Sequence, residues 1–303
     1  MASGSKKVII AALIGNGLIS VTKFVAASMT GSSAMLSEGI HSVVDTGNQV
    51  LLLFGLRQSA KPAGKNFPFG HGKEIYFWSF VVSILIFAVG AGISIYEGVH
   101  HIMDPSELKD PTINYIVLGL AIIFEGGALY FAVTEFNKVR GKLGYLEAVK
   151  RGKDPSMFVV LFEDSAAMLG LLIALVGIYC AHAFNLPVLD GVASVMIGII
   201  LAVTAIWLAI ETKGLLIGES ADPEVIQGIQ NVLSTRANVM DLNEILTLHM
   251  GPEYILATIS IHFKDELKVE GLEVVISEIT KQIKAAHPNV KRVFIEAEDR
   301  KTA

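Results

Sequence analysis

Cysteine is almost absent from this chain, with one residue in 303. A single thiol, Cys180, excludes an intrachain disulfide and any thiolate cluster within one chain, and its apolar neighbours make it a small packing residue. Charge is scarce as well. Asp, Glu, Lys and Arg make up 17% of the residues, against roughly 25% in soluble domains. No Arg/Lys-rich tract occurs and the net charge is −5, which argues against a nucleic-acid partner. No H-E-x-x-H is present, so a metalloprotease reading has no carrier, and neither enzyme activity nor a resident cofactor is expected.

What is there is apolar. Hydrophobic residues reach 52% and the mean hydropathy is +0.56, a composition that points to lipid. The bias fills residues 8 to 216 and fades in the last third. A bilayer core of about 30 Å needs roughly 20 apolar residues per helix. Six segments qualify, at about 8–29, 34–56, 76–99, 112–134, 156–183 and 188–213. The N-terminus, "MASGSKKVIIAAL", has the basic start of a signal peptide, but its apolar stretch runs on without a small-residue exit, so it reads as a first span. No targeting extension precedes it, and a bacterial inner membrane is the expected location.

The connections carry the orientation. Basic residues gather at the N-terminus (Lys6, Lys7), in the 2–3 loop (Arg57, Lys61, Lys65, Lys73) and in the 4–5 loop (Lys138, Arg140, Lys142, Lys150, Arg151, Lys153). The 1–2 and 5–6 connections, "TGS" and "NLP", have none, and the 3–4 loop is mostly acidic. The positive-inside rule then puts both termini and the even-numbered loops in the cytoplasm. Beyond residue 216 the pattern changes. "DPEVIQGIQNVLS" reads as a helix, "MDLNEILTLHMG" and "YILATISIHF" as strands, "GLEVVISEITKQIKAAH" as an amphipathic helix and "VKRVFIEAE" as a last strand. The expected architecture is a six-helix, all-α transmembrane domain over 1–216. A cytoplasmic α+β domain follows over 217–303, in the order α-β-β-α-β with its helices on one sheet face.

Ionisable groups inside the spans cost several kcal/mol against lipid and normally face protein, water or a ligand. Span 1 holds Lys23, span 2 holds Glu38, His41 and Asp45, span 4 holds Glu125, and span 5 holds Glu163 and Asp164. At about 100° per residue Glu38, His41 and Asp45 share one stripe about 60° wide, with Asn48 beside it. Nitrogen and carboxylate donors stacked over two turns make half a cage for a divalent ion, and the mixture suits Zn²⁺. "LFEDSAAMLG" in span 5 is the best source of the remaining ligands. Glu163 and Asp164 lie about 100° apart, so one coordinates while the other pairs or relays a proton. Pairing of Glu38 or Glu125 with Lys23 is the bland alternative. The glycine-rich surroundings read as close helix packing.

These stretches resemble the cation diffusion facilitator family. "TGSSAMLSEGIHSVVD" is similar to its second span, whose motif places two ligands four residues apart, here His41 and Asp45. "FPFGHGKE" resembles the loop after that span, "LDGVASVMIG" the start of the sixth, and "LLIGESADPEVI" the exit into a metallochaperone-like tail. "FEGGALYFAVTEF" and "DPSMFVVLFEDSAAMLGL" are closest to a branch that includes a mitochondrial zinc exporter. The resemblance implies a homodimeric, proton-coupled exporter of divalent metal, most often zinc, working by rocking helices 1, 2, 4 and 5 against 3 and 6. Protons would compete first for the imidazole of His41, whose ordinary pKa is about 6.5.

Departures from the family pattern are equally specific. Where the family pairs two ligands on span 5, this chain has Val160 and Asp164. The implied site is therefore His41, Asp45 and Asp164, with a fourth ligand from Glu163, Glu38, Glu125 or water. A loop site retains His71 beside "GHG", and the tail-site positions fall on Asn243, Ser260, Glu296 and Glu298 without histidine. Alternatives are an exporter selective for Mn²⁺, Fe²⁺ or Co²⁺, favoured by an oxygen-rich set, and a gated cation channel.

Overall fold

The computed structural model describes residues 3–105 and 109–299, with side chains from residue 16 onward. Lys6, Lys7 and the centre of the 3–4 loop, residues 106–108, therefore lie outside the described side chains. The chain divides into two compact units. One comprises residues 1–57, 77–150 and 155–212, and the other 58–76, 151–154 and 213–303.

In the first unit every segment long and apolar enough to be expected as a span is helical. α1 runs Ser3–Thr30 and α2 Ser33–Ser59. α3, Glu74–Leu85, continues through a π-helical stretch, Ile86–Ala91, into α4, Gly92–Met103. α5 is Thr112–Arg140, followed by a short α6, Tyr145–Arg151, that the hydropathy pattern does not announce. α7 is Pro155–Ala183 and α8 Val188–Ile217. Among the described residues four helices are long and apolar enough to cross a membrane by length and composition, over 74–103, 112–140, 155–183 and 188–217. α2 is not among them, because Glu38, His41, Asp45 and Asn48 dilute its middle.

Packing in this unit exploits missing side chains. A methyl group on Gly98 of α4 would stand 2.7 Å from the backbone nitrogen of Val195 and 2.8 Å from the carbonyl of Gly191, both on α8. A methyl on Gly198 would lie 2.9 Å from the backbone nitrogen of Ile95. The two helices thus touch backbone to backbone, the contact that small residues permit where lipid gives no hydrophobic drive.

The start of α2 is held by a residue from far along the chain. Asp190, 3% exposed at the beginning of α8, accepts from Ser32 Oγ at 2.6 Å, Ser33 N at 2.5 Å, Ser33 Oγ at 3.0 Å and Ala34 N at 3.3 Å. The free N–H groups of a helix's first turn need partners, and a carboxylate there also meets the positive end of the helix dipole. His101 Nε2 of α4 stands 3.8 Å from the same carboxylate. Asp190 therefore ties the start of α8 to the start of the helix that carries His41 and Asp45.

The second unit contains the tail. α9, Pro223–Ser234, begins with the Asp222 side chain accepting from Glu224 N, and has Pro at its first position. β1 (Val239–Gly251) pairs antiparallel with β2 (Tyr254–Phe263), and β3 (Val290–Ala297) adds parallel to β2 after α10 (Val269–Ala286). Alternation along β2 turns Ile255, Ala257, Ile259, Ile261 and Phe263 to one face. There they pack with Ile229 and Leu233 of α9 and Val275, Ile279 and Ile283 of α10. The order helix–strand–strand–helix–strand is the one the sequence pattern predicts.

Candidate metal centre

The polar stripe of α2 is buried where the sequence places it. His41 is 1% exposed, Glu38 and Asn48 are 0%, and Asp45 is 8%. His41 Nδ1 and Asp45 Oδ1, one turn apart, lie 3.2 Å from each other but out of hydrogen-bond alignment. Both ring nitrogens of His41 are buried with no hydrogen-bond partner, and so is Asp45 Oδ1. Leaving a buried polar atom unpaired costs about 1–3 kcal/mol, and three such atoms fall together here.

α7 brings the second half. Asn48 Nδ2 donates to Glu163 Oε1 at 2.6 Å, which locks that carboxylate against the α2 stripe. Glu163 and Asp45 face one another at hydrogen-bonding range. Asp164 and Glu125 of α5 lie close enough to act electrostatically on Asp45. Val160, one turn before Asp164, supplies no donor atom. Among the described residues no three His, Cys, Asp or Glu side chains already point at one ion-sized position.

Glu38 belongs to a different arrangement. Its Oε2 is 3.0 Å from Lys23 Nζ, and the same ammonium donates to Ser42 Oγ at 2.7 Å. Of the six candidate ligands, Glu38 is thus the one engaged by a cation of the protein, the pairing that the sequence left open. Its other oxygen, Oε1, sits in a notch where a methyl on Gly170 of α7 would come within 2.5 Å. Glu125 is half-buried and lies within electrostatic range of Lys23 without an ion pair to it.

Residues 9–217 match the cation efflux transmembrane domain. The chain belongs to the cation efflux family. This is a family of transporters, the same as the cation diffusion facilitators, and its members are integral to membranes. The chain is 32% identical over 281 residues to the mitochondrial proton-coupled zinc antiporter SLC30A9 of Xenopus laevis, covering 92% of this chain and 49% of that protein. It is 29% identical over 273 residues to metal tolerance protein C4 of Arabidopsis thaliana, covering 89% and 58%. With the manganese efflux system protein MneP of Bacillus subtilis it shares 24% over 301 residues, covering 96% and 95%. The chain spans about half the length of the SLC30A9 proteins it matches, and its sequence lies near their branch of the family.

The other positions singled out by the family pattern behave differently. In the tail, Asn243 Nδ2 donates to Ser260 Oγ at 3.1 Å, and Ser260 Oγ donates to Glu298 Oε2 at 2.6 Å. These groups satisfy one another. His262 Nε2 lies 3.5 Å from Asp299 Oδ1, and Glu296 is exposed on β3. His249, 4% exposed, has its Nδ1 3.4 Å from the carbonyl of Gly251, and burial pushes its pKa down. In the 58–76 segment His71 packs against Phe67, with ring centroids 4.4 Å apart.

Sequence reasoning missed Asp190 and Gly170. An acidic residue at the mouth of an apolar segment was the available signal for the first. Nothing local marks the second, since its meaning depends on a carboxylate 132 positions away.

Proposed function

We propose that this protein exports divalent transition-metal cations, Zn²⁺ foremost, by alternating access coupled to counter-movement of protons. The observation that carries the proposal is His41. It is a fully buried imidazole with both nitrogens unpartnered, beside the orphaned oxygen of Asp45, the residue on which the α7 acidic pair acts. In this reading His41 and Asp45 bind the ion together with Asp164, while Glu163, steadied by Asn48, supplies the fourth donor or relays a proton. Binding needs neutral imidazole and ionised carboxylates, so metal uptake releases protons and proton entry expels metal. The relatives named as a zinc antiporter and a metal tolerance protein support the substrate class.

The same reading takes all six long helices as spans, residues 217–303 as the cytoplasmic domain, and both termini as cytoplasmic, following the basic loops. The working form is a homodimer in the bilayer.

Proteoliposomes test it. The purified protein takes up Zn²⁺ when a pH gradient is imposed, flux saturates, and protons move the opposite way. His41→Ala and Asp45→Ala each abolish flux while the protein stays folded. Near-normal flux in both variants refutes the assignment, and uptake that never saturates identifies a channel. A second reading, a manganese exporter, draws on the oxygen-rich donor set and on the MneP relative. Faster Mn²⁺ than Zn²⁺ flux in the same vesicles selects it.

A further inference from the structure

The membrane unit contains five acidic side chains in one neighbourhood, Glu38, Asp45, Glu125, Glu163 and Asp164, and among the described residues Lys23 is the sole fully buried Lys or Arg. A lone ammonium in such a place usually neutralises a carboxylate. Here its geometry is that of a bound cation. Nζ is held by Glu38 Oε2 at 3.0 Å and Ser42 Oγ at 2.7 Å, two oxygen donors one turn apart on α2. Glu125 is close enough to act on it from α5. The remaining oxygen, Glu38 Oε1, is fully buried and unpartnered, pressed towards Gly170 of α7. An ion pair optimised only for stability would satisfy that oxygen too.

We propose that the Lys23 ammonium is a tethered cation seated in a second, all-oxygen subsite formed by Glu38 and Ser42, and that it keeps this subsite closed to metal. The subsite neighbours the proposed transport site, because Glu38 stands three residues before His41 on α2 and the Lys23 charge acts on His41. Carboxylate and hydroxyl oxygens without nitrogen or sulfur suit a hard divalent ion such as Mn²⁺. With Lys23 in place, the positive charge repels a second dication and confines metal to the half of the cluster that contains His41. Lys23 therefore acts on selectivity, as a positioned charge that touches no transported ion.

The inference rests on the metal-export reading of the neighbouring cluster, and its test separates the two. Full-length protein in detergent is equilibrated with Mn²⁺, and bound metal is counted by equilibrium dialysis with elemental analysis. Lys23→Met removes the charge at similar length. Lys23→Gln also retains a donor for Glu38 and Ser42. Each variant is expected to bind about one further Mn²⁺ per protomer than the parent, or to bind the same number at least about tenfold more tightly. Adding Glu38→Gln to Lys23→Met returns binding to the parental level. Unchanged stoichiometry and affinity in folded Lys23→Met or Lys23→Gln overturn the proposal. So does unfolding of both variants, which makes the ammonium purely structural. Failure of the export reading looks different: parental binding is then insensitive to Asp45→Ala, whatever Lys23 does.

Discussion

Two polar clusters, one on the membrane helices and one on the tail sheet, end in opposite states. On the sheet, Asn243, Ser260 and Glu298 close a chain of hydrogen bonds. On α2, His41 and Asp45 sit in a drier place, yet Nδ1, Nε2 and Oδ1 have no partners. The energetic logic runs against intuition. Unpaired groups cost most where water is scarcest, so the buried membrane cluster is the one that should have been satisfied. On the metal-export reading proposed above, the open groups await a ligand, while the closed network on the sheet already has its donors and acceptors matched. Acidic or imidazole content alone does not separate a binding site from a structural knot.

The strongest way to break this contrast is to supply metal. Zn²⁺ at one hundred times its dissociation constant should raise the stability of the purified protein by about 2.7 kcal/mol through mass action. Thermal unfolding in detergent reads the shift, and Asp45→Ala should erase it. Equal stabilisation of Asp45→Ala would move the binding site elsewhere and remove the contrast. A smaller effect is expected at the base of α2. Asp190→Ala strands two backbone N–H groups and two hydroxyls, a loss of about 1–3 kcal/mol that the same melts detect. The metal-induced increment should survive that substitution in part, because the ligands themselves remain. A wild-type melting temperature for Asp190→Ala would show that α2 is positioned by something else. The smallest change belongs to the sheet. Ser260→Ala should cost about 1 kcal/mol or less and leave the Zn²⁺ increment whole. If it lowers that increment, the tail network is a ligand set after all.

Much of this was legible in the sequence because membrane helices obey a local rule. Twenty apolar residues announce a helix whatever lies around them, and all six expected segments are helical. Helical periodicity also put His41, Asp45 and Asn48 on one stripe, and the acidic doublet on α7 was an identifiable second source. What escaped depends on pairs distant in the chain. Asp190 meets Ser33 across 157 positions, and Gly170 matters only through the carboxylate of Glu38. Whether Glu38 faced metal or Lys23 was undecidable from periodicity, since both lie on faces directed inward. α6 is short, and the π-helical stretch within the third apolar segment leaves hydropathy unchanged, so neither has a compositional signature.

The seam between α4 and α8 has a mechanical meaning. Side-chain contacts between helices can slide by trading one rotamer for another, whereas Gly98, Gly191, Val195 and Gly198 offer backbone against backbone and no such slack. The pair is a stiff seam. On the alternating-access reading proposed above, little of the motion would fall within this pair, and α2 is itself tied to α8 at its start through Asp190. A single methyl group on the seam would then act on transport without coming near an ion, as a shim in a bearing stops a shaft.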